Sequence, residues 1–210
     1  MRFFLECASL ADASMNKRQA TLRRETGETR IAATLQLDGS GKSDVHTGVA
    51  FFDHMLTLLS KHSLIDLQVQ AEGDLSVDYH HTVEDTGIVL GECLKQALGQ
   101  KFGLRRYGWA LLPMDEALVE VALDLSGRFY LAFEAPEFAQ PIGTFDFQLV
   151  EEFLRGFAAN AGMNLHVTVR RGRNAHHVAE AIFKGLAKAL DQACQVDARV
   201  IGVPSSKGIL

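Results

Sequence analysis

The sequence lacks the features that mark secreted, membrane-spanning and nucleic-acid-binding proteins. It has 3 cysteines in 210 residues, an odd number that is too small for a disulfide framework. No apolar run approaches the roughly 18 residues that a transmembrane helix needs. The formal net charge is -5 and no basic block interrupts the chain, which argues against nucleic acid or a membrane as a partner. We therefore expect a cytoplasmic protein, in which a local cluster of Arg and Lys could still bind a small anionic substrate.

The chain does contain an internal repeat of a histidine-pair motif. The pattern His80-His81-x-x-Glu84 occurs again, with the same residue types, at residues 176–180. Apolar residues recur at helical spacing after each copy, so both motifs are predicted to open amphipathic helices. Such a repeat indicates a duplicated chain.

The repeat extends upstream and predicts the fold class. Helical patterns at 52–59 and 149–154 are each followed by a strand, at 64–69 and 163–169. Opening strands are predicted at 31–37 and 45–50 in the first half and at 117–125 and 129–133 in the second. Ser126-Gly127 predicts a tight hairpin between the last two. We predict an α+β fold of two duplicated β-β-α-β-α halves, with helices packed on one face of each sheet.

The two halves are predicted to form one catalytic unit. We expect residues 1–16 to be a disordered N-terminal extension, residues 17–103 to form the first half-repeat, and residues 104–210 to form the second. The boundary lies in a linker around Gly99–Gly108, where glycine and basic residues interrupt the periodic pattern.

The helical positions of the repeated residues predict two metal sites. Positions i and i+4 lie on one face of a helix, so His80 and Glu84 can hold one ion together. The adjacent His81 points about 100° away around the helix, so each histidine pair should serve two different ions. The alignment of the halves also brings Glu152 opposite His54. The candidate metal ligands are His54, His80, His81, Glu84, Glu152, His176, His177 and Glu180.

The internal repeat suggests one way of dividing these ligands between two ions, in which exchanging the two halves converts one set into the other. The spacing alone does not select this division. One ion would take His54, His81, His176 and Glu180, and the other would take His80, Glu84, Glu152 and His177. Imidazole and carboxylate donors without thiolate suit manganese, iron, cobalt, nickel or zinc. A single histidine pair could equally be a polar helix start beside an ordinary first-turn Glu. The repetition of the pair favours the metal site.

The motifs of the chain, taken in order, resemble those of the imidazoleglycerol-phosphate dehydratase family from about Lys17 to Leu210. Besides the two histidine-pair motifs, the matching segments are Arg24-Glu25-Thr26-Gly27-Glu28-Thr29, Phe52-Asp53-His54-Met55-Leu56, Pro113-Met114-Asp115-Glu116-Ala117, Leu123-Asp124-Leu125-Ser126-Gly127-Arg128 and Pro204-Ser205-Ser206-Lys207-Gly208. So many motifs in the same order make a chance similarity a poor explanation.

The resemblance implies an activity, a cofactor and an assembly. The family dehydrates D-erythro-imidazole glycerol phosphate to imidazole acetol phosphate in histidine biosynthesis. It uses two manganese ions per active site, which bind the substrate imidazole as imidazolate. Its fold is a duplicated unit of the ribosomal protein S5 domain 2-like type, and trimers assemble into a homo-oligomer of 24 subunits. Some members have His at the position of Glu152, so we expect the metal affinity of this chain to differ from theirs.

The resemblance also implies roles for individual residues. Glu28 is the candidate acid or base, because a carboxylate must move protons in a dehydration. From its pattern alone, Glu28 would be a solvent-facing strand residue. The implied catalytic residues are Glu28, His80, His81 and Glu180. The implied substrate contacts are Glu28, His54, His62, Arg106, Arg128, Lys184, Ser205, Ser206 and Lys207.

Two other functions use the same types of ligand. A di-metal hydrolase would hold its two ions about 3.5–4 Å apart around a shared water, and the sequence offers no obvious bridging carboxylate for that arrangement. A ferritin-like metal store also carries Glu and His at helical spacing, but such proteins are helical bundles. The strand patterns at 117–133 and 163–169 speak against that class.

Overall fold

The computed structural model describes residues 18–210, so the expectation for residues 1–16 lies outside the described residues. The first half contains β1 (Gln19–Glu25), β2 (Thr29–Gln36), β3 (Ser43–His46), α1 (Ala50–Ser63), β4 (Asp66–Gly73) and α2 (His80–Leu98). The second half contains β5 (Tyr107–Met114), β6 (Ala117–Asp124), β7 (Tyr130–Glu134), α3 (Gln148–Ala161), β8 (Asn164–Arg171) and α4 (Ala175–Ala193). In this described part of the chain, no helix combines the length and apolar character needed to cross a membrane.

The two halves repeat one sheet topology. The strand order is β1-β2-β4-β3 in the first sheet and β5-β6-β8-β7 in the second. In each sheet one strand pair is parallel, β3 with β4 and β7 with β8, and the other neighbours are antiparallel. Alternate residues of β2 and β6 are buried on the side that faces the helices. The predicted duplicated α+β fold, with helices on one face of each sheet, is confirmed.

Each half opens with one strand more than the sequence patterns indicated. β1 offers only two apolar residues, Ala20 and Leu22, before three charged ones, so its alternation of apolar and polar positions is too short to predict a strand. β5 contains Pro113, a residue that argues against a central strand. β5 is an edge strand of its sheet, where a missing backbone N–H is tolerated. Hydrophobic periodicity therefore did not predict either strand.

The predicted hairpin at Ser126-Gly127 is wrong, because β6 and β7 are not paired. β8 lies between them, so that Ala122 of β6 and Ala132 of β7 both lie beside His166. Gly127 has a φ of 79°, so the chain does turn there. After this turn the chain leaves room for one strand between β6 and β7, and β8, which comes later in the sequence, occupies that place. The predicted strand at 45–50 is also displaced, because β3 ends at His46 and α1 begins at Ala50.

The helices pair across the two halves, α1 with α4 and α2 with α3. Glycines allow the α2 and α3 backbones to touch: a Cβ atom on Gly91 would lie 2.4 Å from the carbonyl oxygen of Phe157. A Cβ on Gly87 would lie 2.6 Å from the carbonyl oxygen of Phe153. The ring of Phe52 on α1 packs against the ring of Phe153 on α3 with a centroid separation of 5.5 Å. Residues of one half are thereby brought against residues of the other along both helix pairs.

Candidate active site

The α1–α4 pair brings together two histidines and a glutamate. Donor atoms of His54, His176 and Glu180 all lie within 4.8 Å of one another. The Nε2 atoms of His54 and His176 are 3.0 and 3.1 Å from the same carboxylate oxygen of Glu180. Two imidazoles and one carboxylate converging on a single point fit part of the coordination sphere of a divalent ion. The donor set therefore suits a divalent metal ion.

Glu180 remains ionised in this group although it is only 7% exposed. Burial alone would raise the pKa of its carboxyl, but the hydrogen bonds from Lys184 and the two histidines outweigh burial and lower the pKa to about 2. Lys184 lies one helical turn after Glu180 and is itself largely buried. A carboxylate that stays charged at neutral pH is available to a metal ion.

The start of α4 holds His176 in place. The side-chain oxygen of Asn174 accepts hydrogen bonds from the backbone N–H groups of His176 at 2.9 Å and His177 at 3.4 Å. This is an N-cap, which satisfies donors that have no partner within the helix. The ring of Phe51 packs against the imidazole of His176 with a centroid distance of 5.1 Å. The orientation of the ligand is therefore set by both a cap and a ring contact.

We call His80, Glu84 and Glu152, the residues that the repeat relates to the α1–α4 group, the α2–α3 group. The Nε2 atom of His80 lies 3.6 Å from a carboxylate oxygen of Glu84, one turn along α2. Glu152 of α3 and His80 line one cavity of about 540 Å³, to which Asp78 and Asp146 also contribute. Asp78 accepts the backbone N–H of His80 at 2.7 Å, which fixes the start of α2. Exchanging the halves converts the α1–α4 group into this one.

The second histidine of each pair, His81 and His177, lies outside both groups, and the two share a different arrangement. The Nδ1 atom of His81 is 3.0 Å from a carboxylate oxygen of Asp74, and the Nδ1 of His177 is 2.7 Å from Glu116. These hydrogen bonds are the largest cause of a raised pKa at both histidines. Hydrogen bonding to His177 also lowers the pKa of Glu116 to about 2. In each half, then, the second histidine of the pair bonds to a carboxylate and does not belong to the α1–α4 or α2–α3 group.

The opposite edge of each of these rings also faces a carboxylate. The Nε2 atom of His81 is 3.8 Å from Glu28, and the Nε2 of His177 is 3.7 Å from Asp115. Glu28 lies in the turn between β1 and β2, and Asp115 lies in the equivalent turn between β5 and β6. Sequence reasoning nominated Glu28 but not Asp115, Glu116 or Asp74. Asp115 could have been predicted from the repeat, because the β5–β6 turn that contains it corresponds to the β1–β2 turn that contains Glu28.

Two of the predicted substrate contacts, Lys184 and His62, lie beside the α1–α4 group. Lys184 donates to Glu180 and also approaches the sulfur of Met114 at 3.5 Å. His62, at the end of α1, has a pKa lowered by burial and then by the positive charges of Lys184 and Lys188. Lys184 therefore supplies positive charge two turns after His176, and the lowered pKa of His62 favours its neutral form.

Other predicted substrate contacts cluster at the opposite end of α4. The guanidinium of Arg106 donates to Asp124 at 2.7 and 3.0 Å and to the carbonyl oxygen of Pro204 at 2.8 Å. The backbone N–H of Gly208 returns to the carbonyl oxygen of Ser205 at 3.0 Å, forming a turn. The turn that carries Arg128 contacts Leu210, because a Cβ on Gly127 would lie 2.9 Å from its carbonyl carbon. These contacts gather Arg106, Arg128, Ser205, Ser206 and Lys207 in one region.

The length of α4 separates this cluster from the α1–α4 group. The backbone N–H of Arg106 donates to the carbonyl oxygen of Ala193, the last residue of α4, whereas His176 lies in its first turn. Seventeen residues (193 − 176) of α-helix span about 26 Å at ~1.5 Å per residue. A small phosphorylated molecule is much shorter than this, so one chain does not bring the two regions to one ligand.

The fold and these groups define a class of protein, a duplicated α+β chain whose paired helices carry histidine–carboxylate groups suited to divalent metals. The sequence profile of the family described as Imidazoleglycerol-phosphate dehydratase matches residues 47–190. A relative of that name from Acetivibrio thermocellus is 56% identical over 193 residues, covering 92% of this chain and 99% of its own. One from Akkermansia muciniphila is 57% identical over 195 residues, covering 92% and 100%.

Solved structures agree with the sequence relatives. The crystal structure of Imidazoleglycerol-phosphate Dehydratase from Staphylococcus aureus matches with a TM-score of 0.78 and 40% identity, covering 85% of this chain and 99% of that one. The structure of IGPD from Pyrococcus furiosus in complex with (S)-C348 matches with a TM-score of 0.78 and 37% identity, covering 90% and 100%. The chain belongs to the imidazoleglycerol-phosphate dehydratase family, and it is an enzyme of the hydro-lyase class.

Proposed function

We propose that the chain dehydrates D-erythro-imidazole glycerol phosphate to imidazole acetol phosphate in histidine biosynthesis. The observation that carries the proposal is the convergence of His54, His176 and Glu180 in a member of this family. We include a cytoplasmic location in the proposal, because the described cysteines, Cys93 and Cys194, are both free, as is usual in a reducing compartment.

The proposed cofactor is manganese, with two ions per active site. Bound there, the ions would supply Lewis-acid stabilisation of the imidazole ring as imidazolate, whose negative charge favours loss of the hydroxyl from the carbon attached to the ring. Histidine and carboxylate donors without thiolate suit Mn²⁺. Glu152 is a competent ligand in the position where some family members have His, and its negative charge favours a divalent cation.

The proposed active site is shared between copies of the chain. The α1–α4 group contains His54, His176 and Glu180, and His81 of the proposed set stands outside it. The α2–α3 group likewise lacks His177, which is bonded to Glu116. A neighbouring copy that presents these histidines completes both sets, and it can also supply the Arg106 cluster to a substrate at the metal. This requirement supports the homo-oligomer, for which the family resemblance suggests 24 subunits built from trimers.

The protein residues have separate tasks in the proposed reaction. The hydroxyl on the carbon attached to the imidazole leaves as water together with a proton from the next carbon, and the resulting enol becomes the ketone at that second carbon. Glu28 accepts or returns protons, since its carboxylate is more than half exposed and stands next to His81. The phosphate is held by positive charge from Lys184, Arg106, Arg128 and Lys207, with Ser205 and Ser206 as donors.

A reconstitution assay tests the proposed function. The purified protein is stripped with a chelator, Mn²⁺ is restored, and formation of imidazole acetol phosphate is followed. We expect turnover only with metal present. Absence of turnover by the manganese-loaded protein would overturn the proposal, and release of inorganic phosphate from the substrate would favour a di-metal hydrolase instead.

A further inference from the structure

The second histidine of each pair stands between two carboxylates. One carboxylate bonds to Nδ1, Asp74 for His81 and Glu116 for His177. The other faces Nε2 from a distance too long for a hydrogen bond, 3.8 Å for Glu28 and 3.7 Å for Asp115. The contact at Nδ1 is therefore the one that fixes each ring.

This geometry selects one tautomer of each imidazole. A carboxylate accepts hydrogen bonds, so the Nδ1 atom that lies within 3.0 Å of it must carry the proton. In a neutral ring the Nε2 atom then has a free lone pair. Histidines that bind metal commonly donate their other N–H to a carboxylate, which sets both the tautomer and the direction of the ring.

The two carboxylates reach equivalent places from unrelated positions in the chain. Asp74 is the residue that follows β4, and Gly172, the residue that follows β8, has no side chain to offer. Glu116 comes instead from the turn between β5 and β6, 61 residues before His177. Duplication alone does not explain this arrangement, because the repeat does not relate Glu116 to Asp74. The two halves therefore make the same carboxylate–imidazole contact with residues from non-equivalent positions.

Each of the two residues is itself anchored, Glu116 through its carboxylate and Asp74 through its backbone. Glu116 accepts the backbone N–H groups of Arg173 at 3.2 Å and Asn174 at 2.8 Å, which ties it to the start of α4. The backbone N–H of Asp74 donates to the carbonyl oxygen of Glu28 at 3.1 Å. Asp115 has a φ of 48°, a conformation that is costly for a residue other than glycine. The turn thus directs Glu116 to Nδ1 and Asp115 towards Nε2.

We propose that Asp74 and Glu116 are positioning residues, which hold His81 and His177 in the Nδ1–H tautomer with Nε2 directed outward to bind a metal. The inference rests on the proposed roles of these two histidines as metal ligands. The two carboxylates do not touch the metal or the substrate, and they act only through the rings to which they bond.

Two pairs of variants test the positioning role. Asp74→Ala and Glu116→Ala remove the acceptor, whereas Asp74→Asn and Glu116→Gln keep an oxygen at the same place. In chelator-stripped protein titrated with Mn²⁺ by calorimetry, we expect the Ala variants to weaken binding at the affected site by about 10–100-fold. The amide variants should recover part of this loss. Glu92→Gln, which removes an exposed charge from α2, should bind as the parent does.

A second measurement reports which nitrogen of each ring carries the proton. In metal-free protein labelled with ¹⁵N-histidine, solid-state NMR distinguishes the two neutral tautomers. We expect the Nδ1–H form at both histidines in the parent, and an added Nε2–H population in the Ala variants. Unchanged metal binding together with an unchanged tautomer in the Ala variants would overturn the inference.

Histidine variants separate failure of this inference from failure of the proposed ligand set. If His81→Ala and His177→Ala bind Mn²⁺ as the parent does, these histidines are not ligands, and both proposals fail. If the histidine variants lose metal while Asp74→Ala and Glu116→Ala retain it, the ligand set stands and only the positioning role fails. Circular dichroism and the oligomeric mass of each variant show that it is folded before the comparison is made.

Discussion

At the scale of single residues, the α1–α4 group depends on one buried carboxylate. Glu180 contacts the ammonium of Lys184 and the rings of His54 and His176, so its negative charge balances a site that is otherwise positive or neutral. Helical spacing was enough to predict that His176, Glu180 and Lys184 share a face. Spacing did not indicate the contacts of Asp74 and Glu116, because each depends on where a strand end or a turn lies in the folded chain.

Glu180→Gln should remove the metal of the α1–α4 group. The amide cannot supply the negative charge, and it leaves the largely buried Lys184 without its ion-pair partner. We expect elemental analysis of the purified variant to show loss of one of the two proposed manganese ions, with activity falling alongside. Glu151→Gln makes the same chemical change in an exposed pair with Arg155 and should change neither. Full metal content in Glu180→Gln would contradict this role.

Glu28→Gln should separate chemistry from metal binding. The amide is close in shape but cannot accept a proton, so we expect kcat to fall by about 10²–10⁴-fold. Metal content should stay unchanged, because Glu28 is outside the proposed ligand set. Glu25→Gln, which alters an exposed ion pair with Arg30 nearby, is the control. A kcat within a few-fold of the parent would exclude Glu28 as the acid or base.

At the scale of elements, the crossing of α2 and α3 sets the distance between ligands from different halves. The two backbones meet at Gly87 and Gly91 of α2 and at Gly156 of α3. Periodicity predicted that these segments are helices, because apolar residues recur at the right spacing. It did not reveal which helix lies against which, since close contact through glycine produces no apolar signal in the sequence.

Gly91→Ala should force α2 and α3 apart. Its methyl group would lie 2.4 Å from the backbone oxygen of Phe157, which cannot move without shifting the helix. We expect a loss of about 1–3 kcal/mol in the free energy of unfolding, measured by denaturant titration in the presence of chelator. Gly185→Ala, also in a helix, is the matched control, because the nearest atoms to its methyl group belong to side chains rather than backbone, the closest being a methyl of Val121 at 2.8 Å. Equal stability of the two variants would argue against the tight crossing.

Asn174→Ala should loosen the start of α4. The change removes the acceptor of two backbone N–H groups and should cost about 1 kcal/mol. Because His176 and His177 lie in this first turn, Mn²⁺ affinity should fall as well. Asn174→Asp keeps a side-chain oxygen and should retain most of both properties. Titration calorimetry and thermal unfolding, run on the two variants side by side, check this expectation.

At the scale of the whole molecule, the repeat in the sequence was sufficient to predict two similar halves. The repeat could not reveal the cross-half pairing of helices, because exchange of the halves leaves the pattern of the sequence unchanged. Nor could it show that the Arg106 cluster and His176 lie at opposite ends of α4. Both features emerge only when the two sheets and their helices are assembled.

Removal of metal should dissociate the proposed assembly. If ligands from neighbouring copies share an ion, a chelator breaks the contact between them, and restored Mn²⁺ should rebuild it. Analytical ultracentrifugation should show a large species with metal and smaller species without it. His80→Ala should behave like the chelated parent even when Mn²⁺ is present. A large species that persists unchanged in both cases would mean that metal does not join the subunits.

The pairing of α1 with α4 and of α2 with α3 also bears on how such a chain can arise. Two copies of a single ancestral half, related by a twofold axis, would already form both helix pairs and two equal sites. Gene fusion of those copies preserves the sites and frees each to change alone. Glu152, which occupies the place that His54 has in the other half, is the kind of difference that a fused chain can hold and a symmetric dimer cannot.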